Sequence, residues 1–250
     1  MGVIYIGDRA TGKTSLALEL ANPSSQYVTV THPDYENLKA LLYDETTGQT
    51  RATDAVQAIY DRALEIQVQL PTGKKEILLE WLDTPGEIWR TYWQRVDENQ
   101  LEWQKFLNSI VESEGILLVV PPYREIVSGA NREDYITQQQ WCNRFERWVK
   151  FFRQDCSKVR HLVLCLNKAD LFCDVNKEAS RLAYIPNRSP MTWQKRNAYV
   201  MQRYFAPVQK QIEQLNQNIS GLAVRCFITS IHNRHLLELP WIYLGSFLAN

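Results

Sequence analysis

The sequence predicts an α/β fold: a mostly parallel central sheet with one antiparallel hairpin strand and helices on both faces. Three observations predict it. Short apolar runs alternate with helical stretches from end to end, the pattern of a parallel sheet covered on both sides. The opening residues run from an apolar strand through a glycine-containing turn into a helix. Leu64 to Leu70 and Glu76 to Leu82 alternate like paired strands around Pro71-Thr72-Gly73, a hairpin signal.

The elements follow in order. Val3 to Ile6 is the first strand and Ser15 to Leu20 the first helix. Tyr27 to Thr31 is β-branched enough for a strand, and Asp34 caps a helix running to about Tyr43. A loop from Asp44 to Arg51 precedes a helix from Thr53, with Val56, Ile59, Tyr60 and Ala63 on one face. After the hairpin, Ile88 to about Val111 has helical spacing. Ile116 to Val120 is a compact strand stopped by Pro121-Pro122, and Asp134 to Phe152 a long helix. Leu162 to Leu166 is another buried strand, Thr192 to about Gln217 a helical stretch, and Ala223 to Ile228 the last strand. Leu236 to Asn250 reads as a final helix with Pro240 near its first turn.

With 250 residues, 45% of them hydrophobic and 22% charged, the chain reads as one elaborated globular domain. Its 28 Lys and Arg balance 28 Asp and Glu, so nucleic acid is not indicated as a partner. No apolar run approaches the length of a membrane span. The five cysteines, Cys142, Cys156, Cys165, Cys173 and Cys226, form no C-x-x-C pair, which fits reduced thiols better than a disulfide framework or zinc site. Met1 leads directly into Gly-Val-Ile-Tyr-Ile-Gly with no basic leader, and Ile6 stands where a myristoylation motif wants Ser or Thr. The expected location is cytoplasmic.

Gly7-Asp8-Arg9-Ala10-Thr11-Gly12-Lys13-Thr14 matches G-x-x-x-x-G-K-[ST] at every specified position. The glycines let the backbone curl so that N–H groups point inward at phosphate oxygens, and the following helix, entered at Ser15, adds its positive end. Lys13 would reach the β- and γ-phosphates and the Thr14 hydroxyl would bind magnesium. Asp83-Thr84-Pro85-Gly86 follows the second hairpin strand. Asp83 can hold magnesium through water, and the Gly86 N–H can meet a γ-phosphate, although this tetrapeptide alone is also a good β-turn. Asn167-Lys168-Ala169-Asp170 follows the strand ending at Leu166. A carboxylate at Asp170 accepts both the N1–H and the exocyclic amine of guanine, whereas adenine would leave it unpaired. The Lys168 stem could lie along the base, and Asn167 could tie this loop to the phosphate loop. Taken alone, the same four residues also read as a helix start.

In this order, the three elements resemble those of the Ras-like GTPase superfamily, the translation-factor class of P-loop proteins. The resemblance covers nearly the whole chain in its order of strands and helices. It implies a single P-loop GTPase-like domain binding GTP or GDP with Mg2+ and signalling to a protein effector or regulator through two switch segments. It also implies that Ser230, after the last strand, sits in the fifth base-binding loop, although Ile231 replaces the usual alanine. The chain is about 80 residues longer than a typical member, within one domain's range, and the excess falls at about 27–63 and 171–222. In the first region Thr46, Thr47, Thr50 and Thr53 compete to bind magnesium; Thr50 and Thr53 come nearest the helix and strand that follow, and Thr50 is narrowly preferred. Glu87 stands where Ras-like members orient water with glutamine, and Arg9 where many keep glycine. Arg9 either supplies charge in cis or blocks a partner's arginine. Slow GTP hydrolysis is expected. A weaker resemblance in layout is to bacterial GTPases of the double-GTPase type found in conflict systems.

Two other readings compete: a nucleotide-binding scaffold without turnover, suggested by Glu87 and Arg9, and a P-loop ATPase or kinase, which leaves Asn167 to Asp170 unexplained. Trp81, Trp89, Trp93 and Trp103 form either core or an effector surface. Residues 171–222 carry seven Lys or Arg against three Asp or Glu. Arg181, Arg188, Lys195, Arg196, Arg203 and Lys210 there form either a basic face or an ordinary solvated one.

Overall fold

A computed structural model describes residues 2–8, 10–24, 26–44, 46, 49–50, 60–83, 104, 107–108, 110, 113–156, 159–189 and 191–248. It is an α/β structure built on a seven-stranded sheet. The strands are β1 (Gly2–Gly7), β2 (Val28–His32), β5 (Tyr60–Leu70), β6 (Gly73–Asp83), β7 (Gly115–Val120), β8 (His161–Leu166) and β9 (Ala223–Ile228). Two short strands, β3 (Tyr43–Asp44) and β4 (Gln49–Thr50), form a separate ladder. The strand order is β2-β5-β6-β1-β7-β8-β9. From β6 through β9 every pairing is parallel, and β5 runs against both of its neighbours. The one antiparallel strand is therefore the first arm of the hairpin, as expected. β2 is added outside it at the sheet edge.

Burial explains the two strand types. All six residues of β7 are buried, as are five of the six in β8, the near-continuous apolar run of a strand covered on both faces. In β5, Leu64, Ile66, Val68 and Leu70 are buried while Ala63, Glu65 and Gln69 are exposed, the period-two alternation of a sheet covered on one side.

The helices are α1 (Lys13–Ala21), α2 (Tyr35–Leu42), α3 (Gln138–Asp155), α4 (Val175–Leu182), α5 (Trp193–Tyr204), α6 (Gln209–Asn218) and α7 (Arg234–Leu248). In α3, Trp141, Phe145, Trp148, Val149 and Phe152 are buried, a helical stripe facing the core.

Several boundaries differ from the sequence reading. Tyr60 and Ala63 are not helical. They extend β5, with Tyr60 opposite Asp83 and Ala63 opposite Glu80, because a partner strand outweighs a four-residue periodicity. Asp44 to Thr50 is not all loop, since Tyr43 pairs with Thr50. The long helix starts at Gln138, not Asp134. Thr137 and Gln140 cap it reciprocally, and residues 130–134 form a separate 3-10 turn. The stretch from Thr192 to Gln217 breaks into α5 and α6 around Pro207, which has no amide hydrogen to donate. α4, capped by Asp174, was not foreseen. Pro240 falls inside α7 rather than in its first turn, because Asn233 starts that helix by accepting Leu236 N–H. The expected helix from Ile88 to Val111 lies largely outside the described residues; those of it that are described, Gln104, Leu107, Asn108 and Ile110, are helical.

Residues 171–222 cover the β9 edge of the sheet. Asn216 Oδ1 accepts Val224 N–H at 2.8 Å and Asn197 Oδ1 accepts Cys226 N–H at 2.7 Å. Those outward amides would otherwise invite another strand. Arg196 is not part of a basic surface: it is 3% exposed, and its guanidinium donates to the carbonyls of Leu182, Met191 and Ala183. Arg188, Lys195, Arg203 and Lys210 are exposed, and the Arg181 side chain is 39% exposed. Among the described residues, no helix is long and apolar enough to cross a membrane.

Candidate functional site

The parallel strands end together, and that edge gathers the chemistry-bearing residues. Gly7 of β1 is level with Val119 of β7, Val119 with Cys165 of β8, and Cys165 with Phe227 of β9. On the other side, Tyr5 pairs with Trp81, so Asp83 at the end of β6 is level with Gly7. The loops after β1, β6, β8 and β9 thus leave one carboxyl edge. The chain order reverses direction at β1, and in open α/β sheets ligands bind in the crevice at such a switch point.

The Gly7–Thr14 loop curls tightly. A side chain at Gly7 would place its Cβ 2.3 Å from the Val119 carbonyl oxygen, so only glycine lets β1 pass that close to β7. Gly12 has φ 88° and forms the N-terminal boundary of α1, and Ala10 also has a positive φ. Thr11 Oγ1 donates to the Asp8 carbonyl at 2.9 Å. The Lys13 ammonium, 6% exposed by residue, donates to the carbonyls of Gly7 at 2.8 Å and Asp8 at 3.0 Å. Tyr5 reaches from β1 to donate its hydroxyl to the Lys13 carbonyl at 3.1 Å. Thr14 and Ser15 are half-buried in the first turn of α1. The arrangement brings a cation, glycine backbone and a helix start without a side-chain cap into one short loop, a combination suited to an anion.

Asn167 joins this loop to the segment after β8. It is 3% exposed and uses both ends of its amide: Nδ2 donates to the Thr11 carbonyl at 2.8 Å, and Oδ1 accepts Thr229 Oγ1 at 3.1 Å. Ala169 N–H donates to the Thr229 carbonyl at 3.0 Å. A Cβ on Gly12 would lie 2.6 Å from Asn167 Nδ2. The expected tie between the two loops is therefore present, and Thr229, which no motif singled out for this role, completes it.

Asp170 follows at the surface, its side chain 29% exposed. Ser230 donates its hydroxyl to Asp170 Oδ1, His232 N–H donates to Ser230 Oγ at 3.1 Å, and His232 Nε2 is 4.0 Å from Asp170 Oδ2. Ser230 is fully buried, and its hydroxyl sets the segment after β9 beside the Asp170 carboxylate. His232 was the unforeseen member, visible only once the two loops meet.

Asp8 adds electrostatics. Burial pushes its carboxyl above the usual range, opposed by the positive charges of Arg144, Lys13 and Arg147. A folded-state value above the unfolded one makes ionisation unfavourable to folding. Stability at Asp8 is full below pH 3.8 and lost as pH rises through the higher folded value. Asp8→Asn is expected to raise Tm at pH 7 and to lose that gain below pH 3.8. Melting curves at the two pH values check this, and an equal gain at both would show that charge is not the cause.

Arg9, Gly86, Glu87, Thr47 and Thr53, with Trp89, Trp93 and Trp103, lie outside the described residues. Thr46 is exposed. Asp83 closes β6 and Thr50 lies in β4 by backbone placement. Among the described residues, no group of three or more His, Cys, Asp or Glu is gathered as for a metal. Burial pushes the Cys173 thiol up to about 11 and those of Cys165 and Cys226 upward as well, so these sulfurs stay protonated at neutral pH.

Compared with known protein families and curated proteins, the chain matches no family model and no curated protein.

Proposed function

We propose that the chain is a guanine-nucleotide-binding switch that takes GTP or GDP with Mg2+, hydrolyses GTP slowly and signals to a partner protein. The observation that carries this reading is Asn167. Its buried amide locks the Gly7–Thr14 loop and the Asp170 segment into one frame. A phosphate group and a base could then be held by the same rigid edge.

In this reading the backbone from Gly7 to Ser15 and the Lys13 ammonium hold the phosphates. The Lys13 contacts to Gly7 and Asp8 keep its charge at the loop mouth. Asp170 accepts two guanine donors while Ser230 orients its carboxylate. Thr14 and Asp83 offer hard oxygen donors, one just after the β1 loop and the other at the end of β6 level with Gly7, a set that suits Mg2+, with Thr50 a third candidate. When bound, that ion would neutralise charge between the β- and γ-phosphates. Arg9, Gly86 and Glu87 are assigned to γ-phosphate contacts and water orientation, and the two switch segments respond to loss of that phosphate.

The test is displacement of a fluorescent GDP analogue by GDP, GTP and ATP. Displacement by both guanine nucleotides but not by ATP is expected. Equal displacement by ATP would overturn the base assignment and favour an ATPase or kinase. Guanine binding without phosphate release in a single turnover would favour the scaffold reading.

A further inference from the structure

The segment between β7 and α3, residues 121–137, has no role in any motif, yet it is fastened to the site at several points. Ser128 N–H donates to the Leu171 carbonyl at 2.8 Å, one residue beyond Asp170. At its own base the loop is closed by Arg124. Its backbone N–H donates to the Ile136 carbonyl at 2.8 Å, its Nε donates to the Tyr135 carbonyl at 3.1 Å, and its guanidinium pairs with Glu133 at 3.2 Å. Trp141 anchors the start of the loop by donating to the Pro121 carbonyl at 2.9 Å, and the Thr137–Gln140 cap fixes its end. Tyr135 is half-buried within this frame.

Lys168 meets that tyrosine. Its backbone is left-handed, φ 59°, and its ammonium lies 5.5 Å from the Tyr135 ring centroid, within cation–π range. The neighbours of Lys168 in sequence are held elsewhere: Asn167 by the phosphate-side loop and Ala169 by Thr229. The long side chain between them would otherwise sample many rotamers, each to be given up when it packs on a flat ligand.

We propose that Tyr135 is the positioning residue for Lys168 and that residues 121–137 form the wall of the base site behind it. This rests on the guanine reading above. The tyrosine face holds the ammonium at one end, so the aliphatic stem of Lys168 is laid down in advance as an apolar surface for the base. Tyr135 itself touches no reacting group.

The experiment is equilibrium binding of a fluorescent GDP analogue, with melting temperature measured alongside, for wild type, Tyr135→Ala, Tyr135→Leu and Tyr135→Phe, each also in a Lys168→Ala background. Loss of the aromatic face is expected to weaken GDP by about three- to tenfold, the range of a partly exposed cation–π contact. Phe should retain wild-type affinity, and Leu should behave as Ala although it keeps apolar bulk. In the Lys168→Ala background all three substitutions should have no further effect, because the residue they position is gone. Tm of the Phe variant should match wild type, and that of the Leu variant should fall by no more than the lost cation–π contact accounts for. Affinity unchanged in Tyr135→Ala, Leu as good as Phe, or an undiminished loss without Lys168 would each overturn the proposal while leaving the guanine reading standing. A wild type that binds no guanine nucleotide would overturn both.

Discussion

Asp170→Ala is expected to weaken GDP and GTP binding by a hundredfold or more while leaving any weak ATP binding where it was. In the proposed complex the carboxylate accepts two hydrogen bonds from guanine, and a bond to a charged group contributes about 1.5–3 kcal/mol. Asp170 keeps 29% of its side-chain exposure, so water competes and the lower end applies, about 3 kcal/mol for the pair, or about a hundredfold. Adenine gains nothing from the carboxylate, so its affinity should not follow. The structure supplies the control. Ser230 orients Asp170 but would still leave two acceptors when removed, and Ser230→Ala is expected to lose no more than about tenfold. Asp170→Asn adds a change of sign. Its amide keeps one acceptor and presents a donor, so a base with a carbonyl in place of the exocyclic amine, xanthine, should now be preferred over guanine. Competition titrations with guanosine, xanthosine and adenosine diphosphates measure all three variants. Guanine affinity unchanged in Asp170→Ala would remove this residue from base recognition.

The parts of this site that were legible in the sequence are those whose chemistry is local. The Gly7–Thr14 motif sets its two glycines within a few residues of Lys13. The structure supplies a physical reason for each glycine: Gly7 faces the Val119 carbonyl, and Gly12 combines a positive φ with contact to Asn167. The buried strands β7 and β8 were legible because a strand covered on both faces is apolar along its whole length. What escaped depends on contacts distant in sequence. Tyr60 to Ala63 became strand because Glu80 to Asp83 lay opposite to pair with them. Arg196 looked like one more basic residue on a charged helix, until Leu182, Ala183 and Met191 supplied carbonyls around it. Tyr135 carried no motif, and its significance comes from Ser128 and Arg124 fastening an irregular loop beside Lys168. The break at Pro207 is a different case, since the proline itself was the signal.

The same dependence on distant contacts makes Glu238 the position where the largest loss of stability is expected. Glu238 is 1% exposed, and its carboxylate accepts three donors: Arg234 Nε at 2.6 Å, Gln26 N–H at 3.0 Å and Tyr27 N–H at 2.9 Å. Arg234 in turn donates to the carbonyls of Glu19 and Leu20 at the end of α1 and of Val28 at the start of β2. No basic residue of α1 itself stands in its last turn, so Arg234 brings from α7 the positive charge that helix end favours. One ion pair therefore fastens α7, the exit of α1 and the entry to β2. Glu238→Ala leaves a largely buried guanidinium without its counter-charge and two backbone amides without their acceptor. Breaking one side of such a pair costs about 3–5 kcal/mol, or on the order of 10 °C in Tm for a domain of this size. Glu238→Gln should fall between, because its amide nitrogen faces donors where the carboxylate accepted. The double variant Arg234→Met with Glu238→Leu should recover part of the loss, since neither charge is then buried alone. Chemical denaturation of the four proteins measures this, and a loss below about 1 kcal/mol for Glu238→Ala would mean that water replaces the carboxylate, the behaviour of an exposed ion pair.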